Sequence, residues 1–324
     1  MERKTFVLNG LDNNNVDQVP DINNLVEVPL FKDVYELKNK EEVSDDQGEY
    51  FVKANWISKT SYSEVYKGRT RDNREIAVKI GNENNKTADE SAERTFLNEA
   101  LTIKQLKLAH PELLIPDVID FTVVDLDGKK SPVLVTEWID GVKLYDLSMA
   151  YKFKNVTQVS SCFDKIANTL DLMHKYGITH GDLTGGNIIV NKKGDPMIID
   201  LGLSNWTSHV NLRGYTPGYI TDEVFQQGFW KPRDELYPFA VMLYEAVTGG
   251  LPIVHEKDGW SSSIREYTPM KDQIKDLHII SGFEGHIKEL DRIFEEVFTD
   301  NGHKYNSCEE FMNDIKKALG KKVD

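Results

Sequence analysis

The chain of 324 residues is long enough for one large domain or two lobes, and its 40% hydrophobic content is that of an ordinary globular core. A formal net charge of -14 argues against broad binding to nucleic acid or anionic membranes, which wants clustered Lys and Arg. With no apolar run of membrane-spanning length and no signal-like start over Met1–Gly10, the sequence reads as cytoplasmic, with Cys162 and Cys308 as buried thiols.

Residues 1–49 read as an acidic extension. Over residues 1–50 twelve acids face five bases, half of the net charge. Solvated, poorly ordered charge is the plain reading, and an autoinhibitory or partner-docking contact is its candidate role. From Tyr50 the pattern turns to strands over Tyr50–Ile57, Ser63–Arg69 and Glu75–Ile80. A helix is predicted over Asp89–Leu108, with Phe96, Ala100, Ile103 and Leu106 on one face. Strands Val118–Asp125 and Pro132–Trp138 follow. The remainder is mostly helical: Leu144–Tyr151, Val156–Tyr176, Asp234–Thr248, His286–Phe298 and Ser307–Leu319, with a strand-rich stretch at Ile178–Asp200. A strand-rich first part with one helix and a helical second part predict an α+β fold of two lobes, 50–140 and 141–324.

The densest chemistry lies in His180-Gly181-Asp182-Leu183-Thr184-Gly185-Gly186-Asn187, before the apolar run Ile188–Val190. Thirteen residues after Asn187 comes Asp200, at the end of a second apolar run. Any one of these residues alone reads most simply as a turn or a strand cap. Together they form a set of hard oxygen ligands. Mg2+ takes carboxylate and amide oxygens along with phosphate, so Asn187 and Asp200 are its candidate ligands. Asp182 is then left to accept the proton of an incoming hydroxyl.

These motifs resemble the protein kinase family, from about Tyr50 to Leu319, and the resemblance implies a bilobal kinase-like fold. His180, Asp182 and Asn187 match the catalytic loop, and Asp200-Leu201-Gly202 matches the magnesium-binding triplet. Ala77-Val78-Lys79 and Glu99 match the strand lysine and its helix glutamate. The family likeness implies that Lys79 contacts the α- and β-phosphates of ATP, with Mg2+, or Mn2+ in its stead, on Asn187 and Asp200. Thr136 is the implied gatekeeper, the backbone of Glu137 and Ile139 the adenine partner, and Val65, Ala77 and Ile189 the walls around the ring. Gly214 to Glu223 resembles the end of a protein-kinase activation segment, with Thr216 where serine/threonine kinases bond a hydroxyl to the catalytic Asp. That segment favours a protein acceptor over a small-molecule one, and autophosphorylation accompanies such an activity.

The chain also departs from the family. The glycine-rich nucleotide loop reads Ser58-Lys59-Thr60-Ser61-Tyr62-Ser63, with hydroxyls of Ser58, Thr60 and Ser63 in place of glycines. This departure keeps a binding scaffold without turnover as the competing reading, beside a small-molecule kinase. Gly181 replaces the Arg that normally meets a phosphorylated activation loop, so activity is expected without phosphorylation of Ser204, Thr207 or Ser208. Glu223 is expected to pair with Lys304. For the buried acid of the central helix, Asp234 and Glu235 are both candidates.

Overall fold

A computed structural model of the chain describes residues 50–52, 58–59, 63–70, 74–81, 92–126, 129–150, 152–206, 215–254, 266–273, 281–299 and 304–320. The acidic extension 1–49, Thr60, Thr207 and Ser208 lie outside the described residues, as does the side chain of Ser58. Internal contacts divide the chain into a unit ending at Ile139 and a unit beginning at Asp140.

The first unit is a six-stranded sheet with one helix. Strands β1 (Tyr50–Val52), β2 (Ser58–Lys59), β3 (Ser63–Thr70) and β4 (Glu75–Gly81) precede helix α1 (Ala92–Ala109). Strands β5 (Val118–Leu126) and β6 (Lys129–Glu137) complete the sheet, in the order β1-β3-β4-β6-β5 with β2 on β3. Because side chains alternate across a strand, the register decides what each face carries. Tyr66, Ile76, Val78, Ile80, Val133 and Val135 fall on one face and pack into a buried cluster. The opposite face is split. Leu134 and Phe121 pack with Phe96 and Ala100 of α1. Lys79 lies opposite both Val65 and Leu134, and Ala77 opposite Thr136, so the same face carries these partly buried side chains too.

The second unit opens with β7 (Gly141–Lys143), α2 (Leu144–Met149) and α3 (Val156–Lys175). Short strands β8 (Ile178–Thr179), β9 (Ile188–Asn191), β10 (Pro196–Ile198) and β11 (Asn205–Trp206) come next. Helices α4 (Asp222–Gln227) and α5 (Leu236–Thr248) are followed by β12 (Ile253–Val254), β13 (Glu266–Tyr267), α6 (Met270–Gln273), α7 (Ile287–Thr299) and α8 (Cys308–Ala318). Every residue of α5 is buried, as its apolar run Leu236–Val247 demands. Phe239 of α5 meets Phe163 of α3 edge-on at 5.6 Å and Phe311 of α8 at 6.2 Å, fastening three helices to one another. A 3-10 turn, Pro232–Glu235, leads into α5, so the predicted helix start at Asp234 falls inside that turn.

No helix among the described residues is long and apolar enough to cross a membrane.

Candidate active site

The first unit carries a paired strand lysine. Lys79 Nζ lies 2.8 Å from Glu99 Oε2, with the lysine side chain 16% exposed and the glutamate side chain 5% exposed. Phe96 is one turn before Glu99 on α1, and its ring centroid lies 5.1 Å from the same nitrogen. An ion pair this dry costs desolvation that offsets much of its attraction, while the contact holds the ammonium in one place.

At the end of β6 the Glu137 N–H donates to the Asp117 carbonyl at 3.0 Å, and the Asp117 N–H donates to Glu137 Oε1 at 3.0 Å. This reciprocal pair orients the backbone leading to Ile139, whose own N–H has no hydrogen bond among the described residues. The Thr136 hydroxyl donates to the Glu137 carbonyl at 3.4 Å. Ser63 is buried at the start of β3.

In the second unit Asp182 is the hub. The Thr216 hydroxyl donates to Asp182 Oδ1 at 2.7 Å. Asn187 Nδ2 donates to the Asp182 carbonyl at 2.8 Å and to Asp182 Oδ2 at 3.3 Å. The Asp182 N–H donates to His180 Nδ1 at 3.2 Å, which leaves the proton of this buried imidazole on Nε2, 3.0 Å from the Ile199 carbonyl. The carboxylate is thus held on both oxygens and at its own backbone.

The β9–β10 hairpin brings the second acid close. Ile188 pairs with Ile198, and one step further the Ile199 N–H donates to the Asn187 carbonyl at 2.9 Å. Asp200 follows directly, in the left-handed region at φ 65, the one non-glycine residue there among the described residues. Such a backbone costs on the order of 1 kcal/mol or more and marks functional positions more often than ordinary turns. Asn187 spends its amide nitrogen on Asp182, so the oxygens that this loop and hairpin offer are the Asn187 side-chain oxygen and the Asp200 carboxylate. That donor pair fits a hard divalent cation. Ile189 lies on β9, opposite Lys143 and Met197.

Gly181 has φ +85, and a Cβ there would stand 2.3 Å from the Leu203 carbonyl oxygen. Only glycine fits, which gives a physical reason for the missing Arg. Its N–H donates to Glu235 Oε1 at 2.8 Å. The structure thereby decides between the two candidate acids: Glu235, wholly buried, reaches the catalytic loop. Asp234 instead accepts from the Lys231 N–H and Gln227 Nε2, capping its own turn.

Two residues that sequence reasoning did not single out stand behind Glu235. His174 Nε2 lies 2.8 Å from Glu235 Oε2, and His174 Nδ1 lies 3.8 Å from Asp171 Oδ1. Asp171 in turn accepts the N–H groups of Cys308 and Glu309 at the start of α8, at 3.1 and 2.8 Å. The available signal was an acid and a His three apart at the end of a predicted helix, eight residues before Asp182.

One expectation is corrected. Lys304 pairs with Glu296 at 2.6 Å and Asp314 at 3.4 Å, not with Glu223. The nearer acids on α7 and α8 satisfy it first. Ser204 is 5% exposed, so it is not a ready phosphorylation site.

A sheet carrying a glutamate-clamped lysine, and a helical unit carrying Asp182, Asn187 and Asp200 on one loop and hairpin, define the class of phosphoryl-transfer domains that includes kinases. Residues 51–315 match the family model described as protein kinase domain, and the chain belongs to that family. It is 27% identical over 270 residues to a probable serine/threonine-protein kinase of Clostridium perfringens, covering 81% of this chain and 37% of that one. It is 28% identical over 218 residues to a probable receptor-like serine/threonine-protein kinase of Arabidopsis thaliana, covering 63% and 35%. A wall-associated receptor kinase-like protein of the same plant is 26% identical over 275 residues, covering 81% and 35%. The chain thus spans about a third of the length of these relatives.

Proposed function

We propose that the chain is a serine/threonine protein kinase that moves the γ-phosphoryl group of ATP onto a hydroxyl of a protein, its own hydroxyls included. The observation that carries this reading is the Thr216 hydroxyl on Asp182 at 2.7 Å, beside the Asn187 amide on the same residue. A carboxylate held this way is aimed to accept the proton of an acceptor Ser or Thr as its oxygen bonds to phosphorus and the bond to the ADP oxygen breaks. Thr216 hydrogen-bonds the oxygen that its neighbour leaves, so the acceptor meets an oriented base rather than a rotating one.

Lys79, fixed by Glu99, is assigned the α- and β-phosphates. Val65, Ala77, Thr136 and Ile189 are assigned the adenine surroundings, with the Glu137 carbonyl and Ile139 N–H as its polar partners. Mg2+ or Mn2+ held by Asn187 and Asp200 supplies charge neutralisation on the phosphate oxygens. Ser63 is buried, and the hydroxyls of Ser58 and Thr60 remain proposed phosphate donors on sequence grounds.

Transfer of label from γ-labelled ATP to a generic protein acceptor tests the reading. Label on the acceptor and on the chain is expected. ATP binding seen by thermal shift without any label transfer would favour the scaffold instead.

A further inference from the structure

Resting on the protein-kinase reading, we infer that the acceptor surface selects substrates carrying a large apolar or aromatic side chain within a few residues of the Ser or Thr, and disfavours acidic segments. Among the described residues the large exposed aromatic side chains are three, Tyr145 at 46%, Tyr215 at 40% and Phe225 at 54%. All three belong to the surroundings of one loop. Tyr215 directly precedes Thr216, whose hydroxyl is on Asp182. The Phe225 ring, on α4, meets Tyr215 edge-on at 5.5 Å and an interplanar angle of 80°. Tyr145, the second residue of α2, lies against Gly185, three residues beyond Asp182, where an added Cβ would stand 3.0 Å from the Tyr145 nitrogen.

Exposing aromatic rings to water costs free energy that a partner can recover by covering them, and rigid rings with few rotamers lose little entropy on contact. The occupant follows from the reaction. An acceptor hydroxyl delivered to Asp182 brings its neighbouring residues over the surface beside Thr216 and Gly185, and that surface presents these rings. Charge narrows the choice. Asp146 follows Tyr145 in the chain, and Asp222 and Glu223 precede Phe225 by three and two residues, all with exposed side chains. The exposed Lys143, two residues before Tyr145, offsets one of these three acids, and the remaining balance disfavours an acid-rich segment there.

The edge-on packing of Tyr215 and Phe225 also holds the chain next to Thr216. Below it the Tyr219 N–H donates to the Thr216 carbonyl at 3.1 Å, and the Thr221 hydroxyl caps α4 through the Val224 N–H at 3.2 Å. The aromatic face is therefore presented on supported backbone.

The test uses the full chain with two readouts and four peptides around one Ser. The flanking residues are Phe, Leu, Ala or Glu. Fluorescence anisotropy measures peptide binding without turnover, and labelled ATP measures kcat/KM. The Phe and Leu peptides are expected to bind and react about tenfold better than the Ala peptide, with Glu worst. Phe225→Ala and Tyr215→Ala are expected to abolish that preference, read as the ratio between peptides in anisotropy and in kcat/KM, with melting temperature within a few degrees of wild type. Preference in binding but no label transfer would uphold the surface and sink the kinase reading. Transfer to all peptides alike, in wild type and variants, would sink the surface and leave the kinase reading. A dimer in sedimentation that Phe225→Ala dissolves, with peptide preference unchanged, would assign the rings to a second copy and overturn the proposal. Should Phe225→Ala fail to fold, Phe225→Leu and Tyr145→Ala carry the same comparison.

Discussion

His174 Nε2 sits 2.8 Å from Oε2 of Glu235, and the other oxygen of that same buried carboxylate takes the Gly181 N–H at 2.8 Å. Burial pushes the Glu235 carboxyl up, and the hydrogen bond and charge of His174 more than reverse this, holding it below its ordinary value. A chain of polar contacts thus runs from the start of α8 through Asp171, His174 and Glu235 to the residue next to Asp182. Each member is the partner another would lose.

Glu235→Ala strands both His174 and the Gly181 N–H in a dry site. The expected loss is about 3 kcal/mol or more of unfolding free energy, the usual result of breaking a buried charged network from one side. Urea denaturation reads it. For the sign with pH, a carboxyl depressed in the folded state contributes stability above its unfolded value, and that contribution fades as pH falls through the folded one. The variant is expected to lose this acid-limb dependence, and an unchanged acid limb would contradict the network.

Glu245 gives the opposite slope. Burial, opposed only in part by the hydrogen bond from the Tyr219 hydroxyl 2.5 Å away, leaves its carboxyl pushed up to about 7. The folded state then holds the proton more tightly than the unfolded one, so stability falls as pH rises from the ordinary glutamate range to about 7. Over that span the loss is about 3 kcal/mol at roughly 1.4 kcal/mol per pH unit. Glu245→Gln is expected to flatten the decline. Denaturation midpoints measured across pH 5 to 8, relative to wild type, check it.

Thr216→Ala frees one oxygen of Asp182 from its hydrogen bond. Activity is expected to drop about 10- to 100-fold, in keeping with the size of positioning and acid–base effects. Thr216→Ser keeps the hydroxyl and is expected to restore most of it. Steady-state rates on a protein acceptor, with circular dichroism to confirm the fold, separate loss of orientation from loss of structure. Equal rates for the Ala and Ser forms would remove Thr216 from the site.

Lys304→Ala tests the corrected pairing. The lysine side chain is 41% exposed and shared between Glu296 and Asp314, so the expected cost is below about 1 kcal/mol. Transfer rates are expected to stay at the wild-type level. A large fall in rate with the fold intact would return Lys304 to a partnership with Glu223 in the activation segment.

Much of the site is legible in the sequence because local spacing fixes it. Asp182 and Asn187 are five apart on one loop, and the apolar runs on either side of residues 191–195 force a hairpin that carries Asp200 back to Asn187. Lys79 stands out because an ionisable residue interrupts an apolar strand. What hides is set by long-range packing. Whether Asp234 or Glu235 reaches the loop depends on a 3-10 turn that shifts helical phase by a fraction of a turn. His174 is invisible for the same reason: its value comes from a carboxylate 61 residues away. Lys304 misled because surface charges choose whichever acid the tertiary fold puts nearest. Gly181 reads in sequence as a lost Arg, and only the Leu203 carbonyl explains it.

One comparison bears most directly on the whole account: initial rates of label transfer from γ-labelled ATP to a protein acceptor, wild type against Asp182→Ala. A fall of about 100-fold or more is expected, with ATP still raising the melting temperature of both proteins. Equal transfer by the two, or transfer by neither, would contradict Asp182 as the base of a phosphoryl transfer.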